Sequence, residues 1–411
     1  MTGHPGVHQW RDDLTHLVDA LEHEHANLFH TVSRDRFSRR RRALHARIPR
    51  LAGHEIVVEF ARLIASIGDA HTVLRLGDVA GFRRFPLVLH LVSDELFVRA
   101  IGSEQPEAAG ARLLAIGGTP AAEAYDAMRA IVSHDNEQGI RATAPALLSI
   151  PEVLHARGVI ADPDRTAIEV ETRTGERSAI ELFAADDMPD DLVDANAAAA
   201  APVPPPLRSP RANWFETLAE TRSLYVGFNT VRDAPDERLE AFFDRLFAHA
   251  DRTTPERLIL DIRANGGGNM TLNRPLLQHI IRRDALNRWG SLFAVIGRGT
   301  FSAAVNLTVD LERETRVIFV GEPTASGPNH YGENAGVRLP NSGLTVSVSS
   351  LWWQYSDPRD DRPWIAPEIP ARQSAAGYAA NRDPALEAIL AYELDPAHAV
   401  PYPERIAGAW R

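Results

Sequence analysis

Between Ser223 and Glu322, short apolar runs alternate with amphipathic stretches, and no other feature restricts the fold of this chain so tightly. The runs are SLYVGFN (223–229), LILDI (258–262), SLFAVI (291–296) and VIFVGE (317–322). They are too short for buried helices and read as strands. Helical spacing fills the gaps at 236–249, 271–283 and 302–313. Strand and helix in strict alternation predict a mainly parallel sheet covered by helices, so an α/β fold is expected.

The rest of the chain reads differently. Leu14, Leu17, Val18 and Leu21, then Ile56, Val57, Phe60, Leu63, Ile64 and Ile67, recur at helical spacing. The region 1–80 is therefore expected to be helical, with a solvated basic face at Arg39–Arg42. Its last helix stops at Gly68 and delivers Asp69-Ala70-His71-Thr72, followed by a short strand at Val73–Leu76. PLVLHLV, an SDE turn and LFVRAI predict a hairpin, and strands are expected at 167–172 and 178–183. A self-contained α+β module is thus predicted over 81–195. NAAAAAPVPPPLRSPRA at 196–212 carries five prolines and reads as a linker to a final domain, 213–411. VRLPNSGLTVSVSSLWWQYS (337–356) reads as a strand pair, and 384–393 as a last helix.

Composition removes several kinds of chemistry. The 411 residues include no cysteine and no lysine, and the net charge is −11. Thiolate nucleophiles are excluded, and any catalytic base must be His, Asp, Glu, Tyr or the terminal amine, since arginine does not deprotonate. The acidic balance argues against nucleic acid and anionic membrane as main partners. No apolar run approaches a membrane span, and a cytoplasmic location is expected. No cofactor or metal motif is present.

Two stretches carry candidate chemistry. Gly266, Gly267 and Gly268 follow a buried strand, where backbone N–H groups can approach a ligand closely. They can form an oxyanion hole, or only a tight turn; a P-loop is ruled out by the missing lysine. Ser302 follows the strand 291–296 and a glycine-bearing turn and opens a helix. It is either a nucleophile or an ordinary N-cap serine. His71, in its polar turn, could serve it as general base, with His330 in GPNHYG as the competitor.

Taken together, DAHT (69–72), DIRANGGGN (261–269), GTFSAA (299–304), VGEPTASG (320–327) and APEI (366–369) resemble the C-terminal-processing (tail-specific) serine peptidase family. The resemblance is greatest to its tricorn-like branch, which includes the interphotoreceptor-retinoid-binding-protein-like members. It covers about 220–395 well and the N-terminal helices more loosely. It implies a crotonase-like ββα core for 213–411 and a PDZ-like or replacement α+β module for the middle region, through GARLLAIGGTPAAEAYDAM (110–128). It implies Ser302 as nucleophile, His71 as base, the amides of Gly267 and Ala303 as oxyanion hole, and Asp361, or its neighbour Asp360, as the group that orients the base. The lysine used by one branch falls at Gly327, so a Ser-Lys dyad is impossible here. Ala70 stands where glycine is usual, and Val305 where many members carry glutamate.

The function expected is a serine hydrolase acting on peptide bonds through an acyl-enzyme. Its partner would be a peptide or a small acyl substrate, and a homo-oligomer is compatible with this reading. The alternatives are a biosynthetic hydrolase or cyclase on a small acyl compound, and a non-catalytic protein that binds a hydrophobic ligand or peptide on the same scaffold.

Overall fold

The computed structural model describes residues 5–197, 204 and 212–393, so most of the expected linker at 196–212 lies outside the described residues. The fold is mixed α/β and divides into two units. One comprises Met1–Ala201 with Tyr331–Trp353, the other Pro202–His330 with Gln354–Arg411.

The first unit begins with helices Val7–Glu24, Arg34–Arg47 and Gly53–Ala65. Leu14, Leu17 and Leu21 are fully buried, as their spacing predicts. A seven-stranded sheet follows, with strands β1 (Leu87–Val92), β2 (Glu95–Ile101), β3 (Arg112–Ile116), β4 (Thr119–Pro120), β5 (Arg165–Glu171), β6 (Arg177–Phe183) and β7 (Val193–Asp194). Its order is β1-β2-β3-β5-β6, with β4 on β3 and β7 on β2. The β1–β2 pair is the expected hairpin, and β5 and β6, expected only as strands, also pair antiparallel. Helix Glu137–Leu147, capped by the Asn136 side chain, had no clear sequence signal, because Gly139 and Pro145 interrupt its pattern.

Two local expectations change. Val73–Leu76 is not a strand: Val73 makes a single antiparallel bridge to Ser347, and Leu76–Asp78 is a 3-10 turn. The strand pair near the C-terminus starts earlier, as strands Asn329–Arg338 and Thr345–Gln354. Within this unit the fully buried Asp13 accepts hydrogen bonds from the amides of Asn341 (2.9 Å) and Ser342 (2.8 Å), which anchors the ribbon's turn to the first helix.

The second unit is the predicted parallel sheet. Strands β8 (Asn213–Leu218), β9 (Ser223–Phe228), β10 (Arg257–Asp261), β11 (Leu292–Ile296) and β12 (Ile318–Gly321) lie in that order, and the two-residue strand Ile369–Pro370 adds to β12. Only β8 runs antiparallel to its neighbour. Side-chain alternation sends Leu224, Leu258, Leu260, Ala294 and Phe319 into one buried cluster and Tyr225, Ile259, Phe293, Ile318 and Val320 into another. The first is closed by helices Leu239–Thr253, Arg274–Ile281 and Ala303–Glu314, the second by helix Pro384–Leu390. Helix Leu239–Thr253 begins three residues later than expected because Asp233 Oδ1 accepts from the Leu239 amide at 2.8 Å, which keeps 234–238 in a loop. Among the described residues no helix is long and apolar enough to cross a membrane.

Candidate active site

Strand β10 ends in Asp261, and the chain then turns through Asn265 and the three glycines. Asn265 is fully buried and shapes the turn from its side chain. Its Nδ2 donates to the Phe228 carbonyl at 2.9 Å, and its Oδ1 accepts from the Gly267 amide at 2.9 Å. Its own carbonyl accepts from the Phe301 amide at 3.0 Å, which fixes the turn against the residue before Ser302. Gly267 lies at φ +97°, and a Cβ there would stand 2.7 Å from Ser302 Cβ and 2.9 Å from the Ala303 nitrogen. Only glycine permits that approach. Gly268, at φ +143°, is equally confined, since a Cβ would meet the Val231 carbonyl at 2.2 Å.

Ser302 follows Thr300, whose hydroxyl donates to the Ile262 carbonyl at 2.9 Å and accepts from the Gly297 amide at 3.0 Å. These bonds hold the loop over the end of β10. Ser302 itself adopts φ 56° and ψ −127°, a conformation that side chains with a Cβ rarely occupy. Its side chain makes no cap hydrogen bond; the amides of Val305 and Asn306 go instead to its backbone carbonyl. The plain N-cap reading is therefore excluded. Ser302 is half-buried, with its hydroxyl uncommitted to the helix that starts at Ala303.

This arrangement brings Gly267, Ser302 and Ala303 together. The Gly267 amide, expected as an oxyanion donor, is occupied by Asn265. Neither the Gly268 nor the Ala303 amide donates within the backbone hydrogen-bond network of the described residues. Gly268 is exposed.

The other expected side chains have separate surroundings. His71, in the first unit, is 8% exposed, and a Cβ on Gly332 would stand 3.9 Å from its Nε2. Its turn is clamped by two carboxylates. Asp69, fully buried, accepts from His25 Nε2 (3.1 Å), Thr72 Oγ1 (2.5 Å) and the His71 amide (2.9 Å). Burial opposes its charge, but these donors together hold its pKa down to about 2. Asp135 accepts from the Ala70 amide at 2.7 Å, and burial together with the Asp69 charge pushes its pKa up to about 8. Sequence reasoning missed Asp135, which sits in SHDNE with no motif around it. Asp69 and Asn265 were visible in their motifs but without a role.

Asp360 and Asp361 differ sharply. Asp360 is buried and committed to Arg362, at 2.8 Å from its Nε, and to Ser356 Oγ at 2.7 Å. Arg362 in turn binds Glu312 through both terminal nitrogens, at 3.0 and 2.9 Å. Asp361 is exposed. His330, the competitor for the base, is buried with Nδ1 at 3.1 Å from the Gly327 carbonyl.

A mainly parallel sheet with helices on both faces defines the class of fold. Solved structures share it along nearly the whole chain. Mature CPAF complexed with lactacystin aligns at a TM-score of 0.65 over 93% of this chain and 97% of that one, at 13% identity. A CPAF mutant aligns at 0.67 over 95% and 99%, at 12% identity. The chain thus has the CPAF fold. The photosystem II D1 C-terminal processing protease aligns at 0.41 over 89% and 93%, at 13% identity, a score too low to bear on the fold. No protein-family model and no curated protein matches the sequence.

Proposed function

We propose that this chain is a serine peptidase. The observation that carries the reading is the backbone of Ser302, at φ 56° and ψ −127° directly against Gly267, within motifs that follow the order of the tail-specific peptidases. A strained serine with its hydroxyl uncommitted to the helix it opens has the geometry of a nucleophile at a strand-to-helix turn.

In the proposed reaction His71 accepts the Ser302 proton as Oγ attacks the peptide carbonyl. The Ala303 amide and one from the glycine turn hold the resulting oxyanion. Because the Gly267 amide is committed to Asn265, the turn's donor is assigned to Gly268. His71 then gives its proton to the leaving amine, an acyl-enzyme forms on Ser302, and water releases it by the same steps. Asp361 is assigned the orienting role, since Asp360 is already engaged with Arg362. The finer architecture belongs to the same proposal: an N-terminal region 1–80 supplying His71, a PDZ-like module at 81–195, a linker at 196–212 and a crotonase-like core at 213–411. The partner is a peptide.

The test is a fluorophosphonate probe together with a peptide library. Ser302→Ala abolishes labelling and cleavage, and His71→Ala lowers both by several orders of magnitude. Undiminished labelling of both variants overturns the proposal.

A further inference from the structure

The basic run Arg39–Arg42 is not uniformly solvated. Arg39 and Arg42 are exposed, but Arg40 is half-buried and faces a cavity of about 440 Å³. Helices Arg34–Arg47 and Gly53–Ala65 and the end of helix Ala121–Arg129 supply its walls. Arg47, Arg62 and Arg129 also line it, whereas Glu59 is the sole carboxylate among the lining residues.

The charges do not balance. Glu59 is shared between Arg47 (3.0 Å) and Arg62 (3.4 Å), and Arg129 is paired from outside the lining with Glu137 (2.6 Å) and Asp126 (3.9 Å). Four guanidinium groups against these three carboxylates leave one positive charge uncompensated, and Arg40 is the member with no ion pair among the described residues. Arg40 bears the strain most directly. Burial and the charges of Arg36 and Arg62 hold its pKa below the usual arginine range, with no carboxylate acting the other way. Holding the half-buried Arg40 guanidinium without counter-charge is costly, and an anion in the cavity offsets that cost.

The shape of the site narrows the anion. Guanidinium forks match the oxygens of phosphate, and a phosphomonoester carries close to two negative charges at neutral pH. The cavity is also larger than a bare oxyanion needs, at roughly 30 Å³ per water-sized group, and Leu44 and Leu63 give it an apolar wall. We propose that this cavity binds a small phosphate-bearing anion, its oxygens held by Arg40 and Arg62 and its organic part set against Leu44 and Leu63.

Titration calorimetry on the full chain at low salt tests this with phenyl phosphate, inorganic phosphate and benzoate as probes. Phenyl phosphate should bind saturably at one site, more tightly than inorganic phosphate and at least tenfold more tightly than benzoate. Arg40→Ala should weaken phenyl phosphate on the order of tenfold or more, with a melting temperature no lower than that of the parent chain. Arg39→Ala, on the exposed side of the same helix, should leave it within about twofold, as expected for a charge that is screened and makes no direct contact. Three results overturn the proposal: no saturable binding at millimolar phenyl phosphate, benzoate binding equally well, or equal losses in the Arg39 and Arg40 variants.

Discussion

Ser302 shows what a single residue can store. Its backbone sits where glycine is at ease and serine is not, a cost of order 1–3 kcal/mol. Ser302→Gly should therefore raise stability by about 1 kcal/mol in a urea melt while abolishing hydrolysis. A destabilised Ser302→Gly variant would show that no strain resides there. Gly267 presents the opposite case: a methyl group would press on Ser302 Cβ at 2.7 Å, so Gly267→Ala should displace the nucleophile. Asn265 acts on the same turn from beneath. Asn265→Ala removes the bond that shapes the turn and so displaces the Gly268 donor, and kcat should fall by roughly 10²-fold, the scale of one lost oxyanion donor. Peptide turnover at saturating substrate checks this; an unchanged kcat would leave Asn265 with only a folding role.

Among the elements, the end of β10 is held by an ion network that the sequence displays but does not explain. Arg263 donates to Asp261 at 3.0 Å and to both oxygens of Asp383 at 3.0 Å, while Asp261 also accepts from the buried Tyr225 hydroxyl. Asp383 caps helix Pro384–Leu390 through the amides of Ala385 and Leu386. The DIR motif thus ties the strand that carries the glycine turn to a helix 120 residues away. Arg263→Met would strand two buried carboxylates and should cost about 3–5 kcal/mol in a denaturant melt. A loss below 1 kcal/mol would show that the network is replaceable by apolar packing. Element type was legible throughout β9–β12, because buried apolar runs and helical spacing are local signals. Element ends were not, since they depend on side chains such as Asp233 capping Leu239.

For the whole molecule, the DAHT turn links stability to pH in two opposite ways. Asp69, held down to about 2, contributes stability that is present above its ordinary carboxylate value and is lost as pH falls from about 4 toward 2. Asp135, pushed up to about 8, keeps a proton in the folded state that the unfolded chain releases near pH 4, so its contribution falls as pH rises from about 4 to 8. Thermal melts between pH 5 and 8 should show that decline, and Asp135→Asn should flatten it. A wild-type curve as flat as the variant's would assign Asp135 an ionised, solvated state instead.

By itself the sequence determined the parallel sheet, the glycine turn and the serine that follows it. Each rests on apolar period, glycine freedom and motif spacing, all of which act within a few dozen residues. Tertiary structure alone decided the torsion of Ser302, the capture of the Gly267 amide by Asn265, and the clamping of the His71 turn by Asp69 and Asp135. It also placed residues 331–353 in one unit with the N-terminal helices. Those outcomes depend on buried polar groups finding partners, such as the Ala70 amide meeting Asp135 65 positions away. No local pattern encodes such pairings, because they are selected by the cost of leaving a buried donor or carboxylate unsatisfied.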